Sequence, residues 1–121
     1  MRTRPDVITD LSVGHRVVHL DEHGFLTDPE EWDADVAVAL AKRQDIRLTD
    51  DHWDVIAFMR DFLAEHGVAA DARFVMRFLD ERAAARGKTG KDLLFELFPY
   101  GYVGQACRIS GMRQPRAWST G

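Results

Sequence analysis

The chain has 121 residues, 45% of them hydrophobic and 30% charged, with a net charge of −4. These proportions exclude a disordered chain, and the length fits one domain whose core buries roughly two thirds of the unfolded surface. No apolar run approaches the roughly 20 residues of a membrane span, and Met1 to Asp6 hold no apolar signal core, so the expected location is the cytoplasm.

Val17-Val18-His19-Leu20 and Gly24-Phe25-Leu26 flank the turn-forming Asp21-Glu22-His23-Gly24, which predicts a short amino-terminal β-hairpin. Everything later reads as helix. Asp28-Pro29-Glu30-Glu31 supplies a cap, a proline at the first helical position and acids for the positive helix end. Trp32, Val36, Ala39 and Leu40 follow at helical spacing, predicting a first helix that ends near Arg43.

Thr49 caps a second helix, with Asp50 and Asp51 in its first turn and Gly67 as its stop. Val55, Phe58, Met59 and Phe62 form one apolar face, and Trp53, Ile56 and Leu63 widen it past a surface stripe, which places this helix at the centre of a bundle. Asp71 starts a third helix, with Phe74, Val75, Phe78 and Leu79 expected inward and Gly87 at its end. Lys88-Thr89-Gly90-Lys91 reads as a basic turn before a short fourth helix with Leu93, Leu94, Leu97 and Phe98, stopped by Pro99. A fifth helix is expected from about Tyr102 to Ser110, closed by Gly111, and residues 112–121 read as an extended arm.

Charge is unevenly spread. Met1 to Ala72 hold 7 Lys/Arg against 16 Asp/Glu, a net of −9, whereas Arg73 to Gly121 hold 9 against 4, a net of +5. A basic second half suits an anionic partner or attracts the acidic half within the fold. Helices in that half, with Arg73, Arg77, Lys88 and Lys91 as candidate phosphate contacts, give a nucleic-acid reading that the negative overall charge weighs against.

Enzyme signatures are absent: there is no glycine-rich phosphate loop, no Gly-x-Ser-x-Gly elbow and no His-Glu-x-x-His zinc helix. His15, His19 and His23 repeat every four residues, but a hairpin breaks that geometry, so no metal site and no cofactor are expected. Asp50-Asp51 and Glu30-Glu31 are explained by helix starts. Cys107 is the only cysteine, which excludes an internal disulfide. It shares a small helical face with Val103, Ala106 and Ser110, a pattern that favours a buried thiol. Against that, Arg108 is adjacent, Arg113 and Arg116 follow, and no acid intervenes before the chain end, which lowers a thiol pKa if the sulfur is exposed. Trp118, between Arg116 and Ser119, has the character of an interface anchor, so Arg108, Arg113, Arg116 and Trp118 are candidate partner contacts.

Several segments in order resemble the DsrC/TusE/DsvC family of sulfur-relay proteins. They are Gly24-Phe25-Leu26 with Trp32, Ile46 to Ile56, Arg60-Asp61-Phe62, Leu97-Phe98-Pro99-Tyr100-Gly101, Gln105-Ala106-Cys107-Arg108-Ile109 and Gly111. The resemblance implies a mainly α fold: a small orthogonal helical bundle with an amino-terminal hairpin and a carboxy-terminal arm, here one domain over 1–121 with the arm at 112–121. It also implies that sulfur is carried as persulfide or trisulfide on a penultimate cysteine of the arm, which pairs in one branch with the upstream cysteine that Cys107 matches. This arm has no cysteine, and Trp118 stands nearest its place; Tyr102-Val103-Gly104 also replaces the usual Pro-Ala-Lys stretch. Neither indole nor hydroxyl holds a persulfide. Three readings follow: a docking, accessory or regulatory partner of sulfite-reductase-like or sulfurtransferase proteins, a single-cysteine carrier using Cys107, or a nucleic-acid-binding regulator of sulfur genes.

Overall fold

A computed structural model describes residues 8–113. Strands β1 (Thr9–Val13) and β2 (Arg16–Leu20) pair antiparallel, with Leu11 opposite Val18 and Val13 opposite Arg16. The hairpin thus lies one strand earlier than expected and turns at Gly14, whose φ of 60° suits a residue without a Cβ. The expected Asp21–Gly24 turn does form: Gly24 N donates to the Asp21 carbonyl at 3.0 Å, and Asp21 Oδ1 accepts from the amides of His23 and Phe25. It closes only a single bridge, Leu20 to Leu26, because the chain then leaves into Asp28-Pro29.

The first helix also starts later than its sequence signals suggest. Asp28 and Pro29 open a single 3₁₀ turn, Pro29–Glu31, and Trp32 follows in extended backbone (φ −72°, ψ 137°). Asp33 then caps α1 (Ala34–Arg43), accepting from Val36 N at 3.0 Å, and the helix buries Val36, Ala37, Leu40 and Ala41.

Helix α2 (Asp50–His66) begins at Thr49 through a reciprocal cap with His52 and stops at Gly67 in the left-handed conformation. Val55, Ile56 and Met59 are buried, while Trp53, Phe58, Phe62 and Leu63 pack partly exposed against the same core. Asp71 caps α3 (Ala72–Ala84) by accepting from the amides of Arg73 and Phe74.

The two helices meet antiparallel in successive layers. Asp51 meets Arg86 at 2.7 Å, Asp54 meets Arg82 at 2.6 Å, Phe58 stacks on Phe78 with centroids 4.5 Å apart, and Phe62 meets Phe74 at 5.3 Å. One end of the contact is ionic and the other aromatic. Phe78 packs partly exposed against the core, but Phe74 is not a core residue as its spacing suggested. Val75, Leu79 and Ala83 fill the interior, Phe78 is half-buried, and Phe74 is 42% exposed.

Thr89 and Asp92 form a second reciprocal cap on α4 (Gly90–Leu97), which buries Leu93, Leu94 and Leu97. Gly90 is required by close approach: a Cβ there would lie 1.9 Å from the Met76 carbonyl oxygen of α3. The last helix is wound differently from expectation. Tyr102–Cys107 forms a π-helical segment, a wider coil that turns Tyr102, Gln105, Ala106 and Cys107 all inward. After Arg108 the chain closes at Gly111 (φ 75°), where Met112 N donates to the Cys107 carbonyl at 2.9 Å. The result is a mainly α bundle with an amino-terminal hairpin. Among the described residues no helix is long and apolar enough to cross a membrane.

Candidate functional site

Cys107 sits on the inner face of the π-helical segment and is completely buried. Burial pushes its thiol up to about 12, outweighing the hydrogen bond with Tyr102 and the charge of Arg108, which both pull it down. The Tyr102 hydroxyl also donates to the Ala70 carbonyl, and burial raises its own pKa. A sulfur in this setting is protonated near neutral pH and screened from solvent, the combination that makes a cysteine inert.

Arg108 does not rescue it. Its Nε donates to the His23 carbonyl at 2.7 Å, another guanidinium nitrogen donates to the Gly104 carbonyl, and the group lies 5.1 Å over the Phe25 ring. The arginine ties the last helix to the Asp21–Gly24 turn. An adjacent cation activates a thiol only where the sulfur is exposed, and here desolvation of the buried sulfur outweighs the charge of Arg108.

The root of the arm is held by a clamp. Trp32 Nε1 donates to the Ile109 carbonyl at 2.8 Å, and Arg60 donates to the Ser110 carbonyl at 2.8 Å while stacking 3.8 Å over the Trp32 ring. These donors satisfy carbonyls left open at a helix end, and a cation there also suits the negative pole of the helix. Burial lowers the Arg60 pKa. Met112 is buried and Arg113 is exposed, so the chain emerges into solvent between them. Arg116 and Trp118, like the rest of the expected arm beyond Arg113, lie outside the described residues.

Two further buried polar groups support the same end of the bundle. His52 joins the start of α2 to the end of α4: Nδ1 accepts from Thr49 N at 3.0 Å and Nε2 donates to the Leu97 carbonyl at 2.7 Å. Desolvation lowers its pKa, which keeps it neutral in this tautomer. Gln105 accepts from Tyr100 N at 2.9 Å, pinning the turn that separates α4 from the π-helical segment. Helical spacing gives no sign of Trp32, Arg60, His52 or Tyr102 as site residues, because each acts through a partner more than 30 positions away.

The remaining sequence candidates do not converge. Arg73 pairs with Asp71 at 3.3 Å, Arg77 lies 5.9 Å over Phe74, Lys88 pairs with Glu96 at 2.6 Å, and Lys91 is exposed near the start of α4. Arg73 and Lys88 thus each have a carboxylate partner, and Lys88 and Lys91 line one shallow pocket with Asp92 and Glu96, apart from the two arginines of α3. Asp51 does more than favour a helix start, since the Arg86 and Arg82 guanidinium groups hold its carboxyl below the usual carboxylate range. His19 pairs with Asp10 at 2.9 Å and His23 lies 3.4 Å from Glu22; among the described residues no three His, Cys, Asp or Glu side chains gather as metal ligands.

Comparison with known proteins finds the same architecture and sequence pattern. The family described as DsrC like protein matches residues 12–117. The Haemophilus influenzae sulfurtransferase TusE homolog is 34% identical over 105 residues, covering 87% of this chain and 95% of the relative. The crystal structure of the oxidized gamma-subunit of dissimilatory sulfite reductase (DsrC) from Archaeoglobus fulgidus superposes with a TM-score of 0.81 at 37% identity, covering 90% of this chain and 98% of the other. Allochromatium vinosum DsrC gives a TM-score of 0.71 at 32% identity, covering 92% and 98%. With hairpin, bundle and ordered sequence blocks all matched over most of both partners, this chain belongs to the DsrC/TusE sulfur-relay family.

Proposed function

We propose that this protein is a docking, accessory or regulatory partner in cytoplasmic sulfur relay or sulfur oxidation, with impaired ability to carry sulfur itself. The observation that carries this reading is the complete burial of Cys107, the only cysteine of the chain. With its thiol pushed up to about 12 by burial, the sulfur is held as the protonated thiol near neutral pH. A relay member needs a sulfur that reaches its donor and its acceptor, and this sulfur is enclosed by Tyr102 and the surrounding helices. The single-cysteine carrier reading therefore lacks an accessible nucleophile.

Recognition requires only a shaped surface. The proposed contacts are the half-buried Arg108, Arg113 at the exposed root of the arm, and Arg116 and Trp118 beyond it, on a single domain spanning 1–121 with its arm at 112–121. The expected partners are sulfurtransferases or sulfite-reductase-like proteins, in keeping with the names of the relatives. Calorimetric titration against a sulfurtransferase of the relay is expected to show saturable binding that Cys107→Ser leaves unchanged. Intact-mass measurement after incubation with a persulfide donor is expected to show no added sulfur. Repeated transfer of sulfur from donor to acceptor through this protein would overturn the proposal.

A further inference from the structure

The aromatic end of the α2/α3 contact is open to solvent. Phe58, Phe62 and Phe78 line a groove with Asp54, Asp61, Glu65 and Arg82, and Phe74 extends the ring contacts past its edge. Phe74 is 42% exposed and Val68, just beyond α2, is 62% exposed. Contiguous apolar surface bordered by charge marks an interaction site in a small protein.

The charges on its two banks are opposite. Asp61 and Glu65 lie on the α2 side, and among the described residues neither meets a lysine or arginine. Arg77 and Arg73 lie on the α3 side. Arg77 has no carboxylate partner among the described residues, and Arg73 has only Asp71 of its own cap, with its side chain 86% exposed. An acidic bank and a basic bank on antiparallel helices form a self-complementary face. A two-fold axis parallel to the helices lays α2 of one copy over α3 of the other.

We propose that two copies of this chain associate through that face, Phe58, Phe62, Phe74 and Phe78 of each meeting the same residues of the other. The layers fix the register. Phe58 pairs with Phe78 and Phe62 with Phe74 within one copy, and the two-fold carries these heights unchanged to the second. At 1.5 Å per residue, Asp61 then lies within about 3 Å, along the axis, of both Arg77 and Arg73 of the second copy, and Glu65 within about 3 Å of Arg73. Stacked rings supply attraction, and the two sets of crossed charges select this pairing over a shifted one.

Sedimentation velocity on the full chain tests this without any partner protein, so its outcome is independent of the docking function proposed above. The expected result is a dimer fraction that rises between about 10 μM and 1 mM and falls with added salt. Asp61→Arg, and separately the double variant Arg73→Asp/Arg77→Asp, are each expected to be monomeric, because each faces like charge across the two-fold. Mixed one to one they are expected to form a heterodimer, since every crossed pair is then complementary except Glu65 of the Asp61→Arg copy, which faces the acid at position 73. Phe74→Glu is expected to be monomeric with an unchanged circular dichroism spectrum. A wild-type protein that stays monomeric to about 1 mM overturns the proposal, as does a dimer that survives both charge variants or a mixture that gains nothing.

Discussion

The indole N–H of Trp32 reaches the carbonyl of Ile109 at 2.8 Å, joining positions 77 residues apart and placing the ring beneath Gly111. A Cβ at Gly111 would lie 2.5 Å from Trp32 Cδ1, and the residue's φ of 75° is itself costly for any other side chain. Gly111→Ala is therefore expected to destabilise the fold by about 2–4 kcal/mol, seen as a lower urea midpoint at unchanged slope. A midpoint that does not move would mean that the ring and the helix end are not in contact.

Gly90 faces a harder obstacle. Its neighbours are the Met76 carbonyl oxygen and Asp80 Oδ1, which also accepts the Gly90 amide at 3.0 Å. Since backbone cannot swing aside as a side chain can, Gly90→Ala is expected to cost about 3 kcal/mol or more by forcing α4 away from α3. Thermal unfolding should show the loss. Retention of the wild-type midpoint would contradict the close packing of these two helices.

Stability is expected to fall at alkaline pH. The folded state holds the Cys107 proton more tightly than the unfolded chain does, so this contribution is fully present below the usual thiol value of 9.0 and is lost as pH rises towards about 12. The expected slope is about 1.4 kcal/mol per pH unit across that window for one proton. Tyr102, also raised by burial, adds to the decline above its usual 10.0. Cys107→Ala should give a shallower decline between pH 9 and 10.5 in urea titrations; equal slopes for variant and parent would show that the thiol ionises freely in the folded protein.

At the acid end the controlling group is His52. Desolvation lowers its pKa in the folded state, so its contribution is complete above the usual 6.5 and fades as pH falls below that value. Protonation of Nδ1 also removes the acceptor for Thr49 N. His52→Gln is expected to flatten the dependence of the melting temperature on pH between 7 and 5, even if its stability at pH 7 is lower. An unchanged acid limb would assign that loss to other groups.

Helix punctuation was the most legible part of the sequence. Thr49 and Asp71 cap their helices and Gly67 stops α2, because capping is settled within a few residues of the chain. The fold class and the family were legible too, the second through the ordered blocks from Gly24 to Gly111. The hairpin was misplaced because Thr9, Asp10 and Ser12 of β1 are polar, leaving only Leu11 and Val13 to signal an inward face, while the Asp21–Gly24 turn announces itself strongly. The first helix was begun too early because Asp28-Pro29 has a cap's chemistry, although Trp32 must stay extended for its indole to reach Ile109. Phe74 lies in the open against the expectation of its spacing, since phenylalanine spacing does not distinguish a core face from a groove.

The site was less legible. The small-residue face around Cys107 pointed towards a buried thiol and the nearby arginines away from it, and spacing could not weigh the two. Deciding required the positions of Tyr102, Ala70 and Arg108, which are set by tertiary contacts.

The wide coil from Tyr102 to Cys107 also governs the azimuth of everything after it. Each residue of an ordinary helix advances by about 100°, and fewer degrees in the wider coil, so letting this stretch relax to regular winding at unchanged length would rotate the sulfur by roughly a quarter of a turn relative to Tyr102. The pitch of the coil, as much as the identity of its residues, therefore sets the side of the helix on which the sulfur lies.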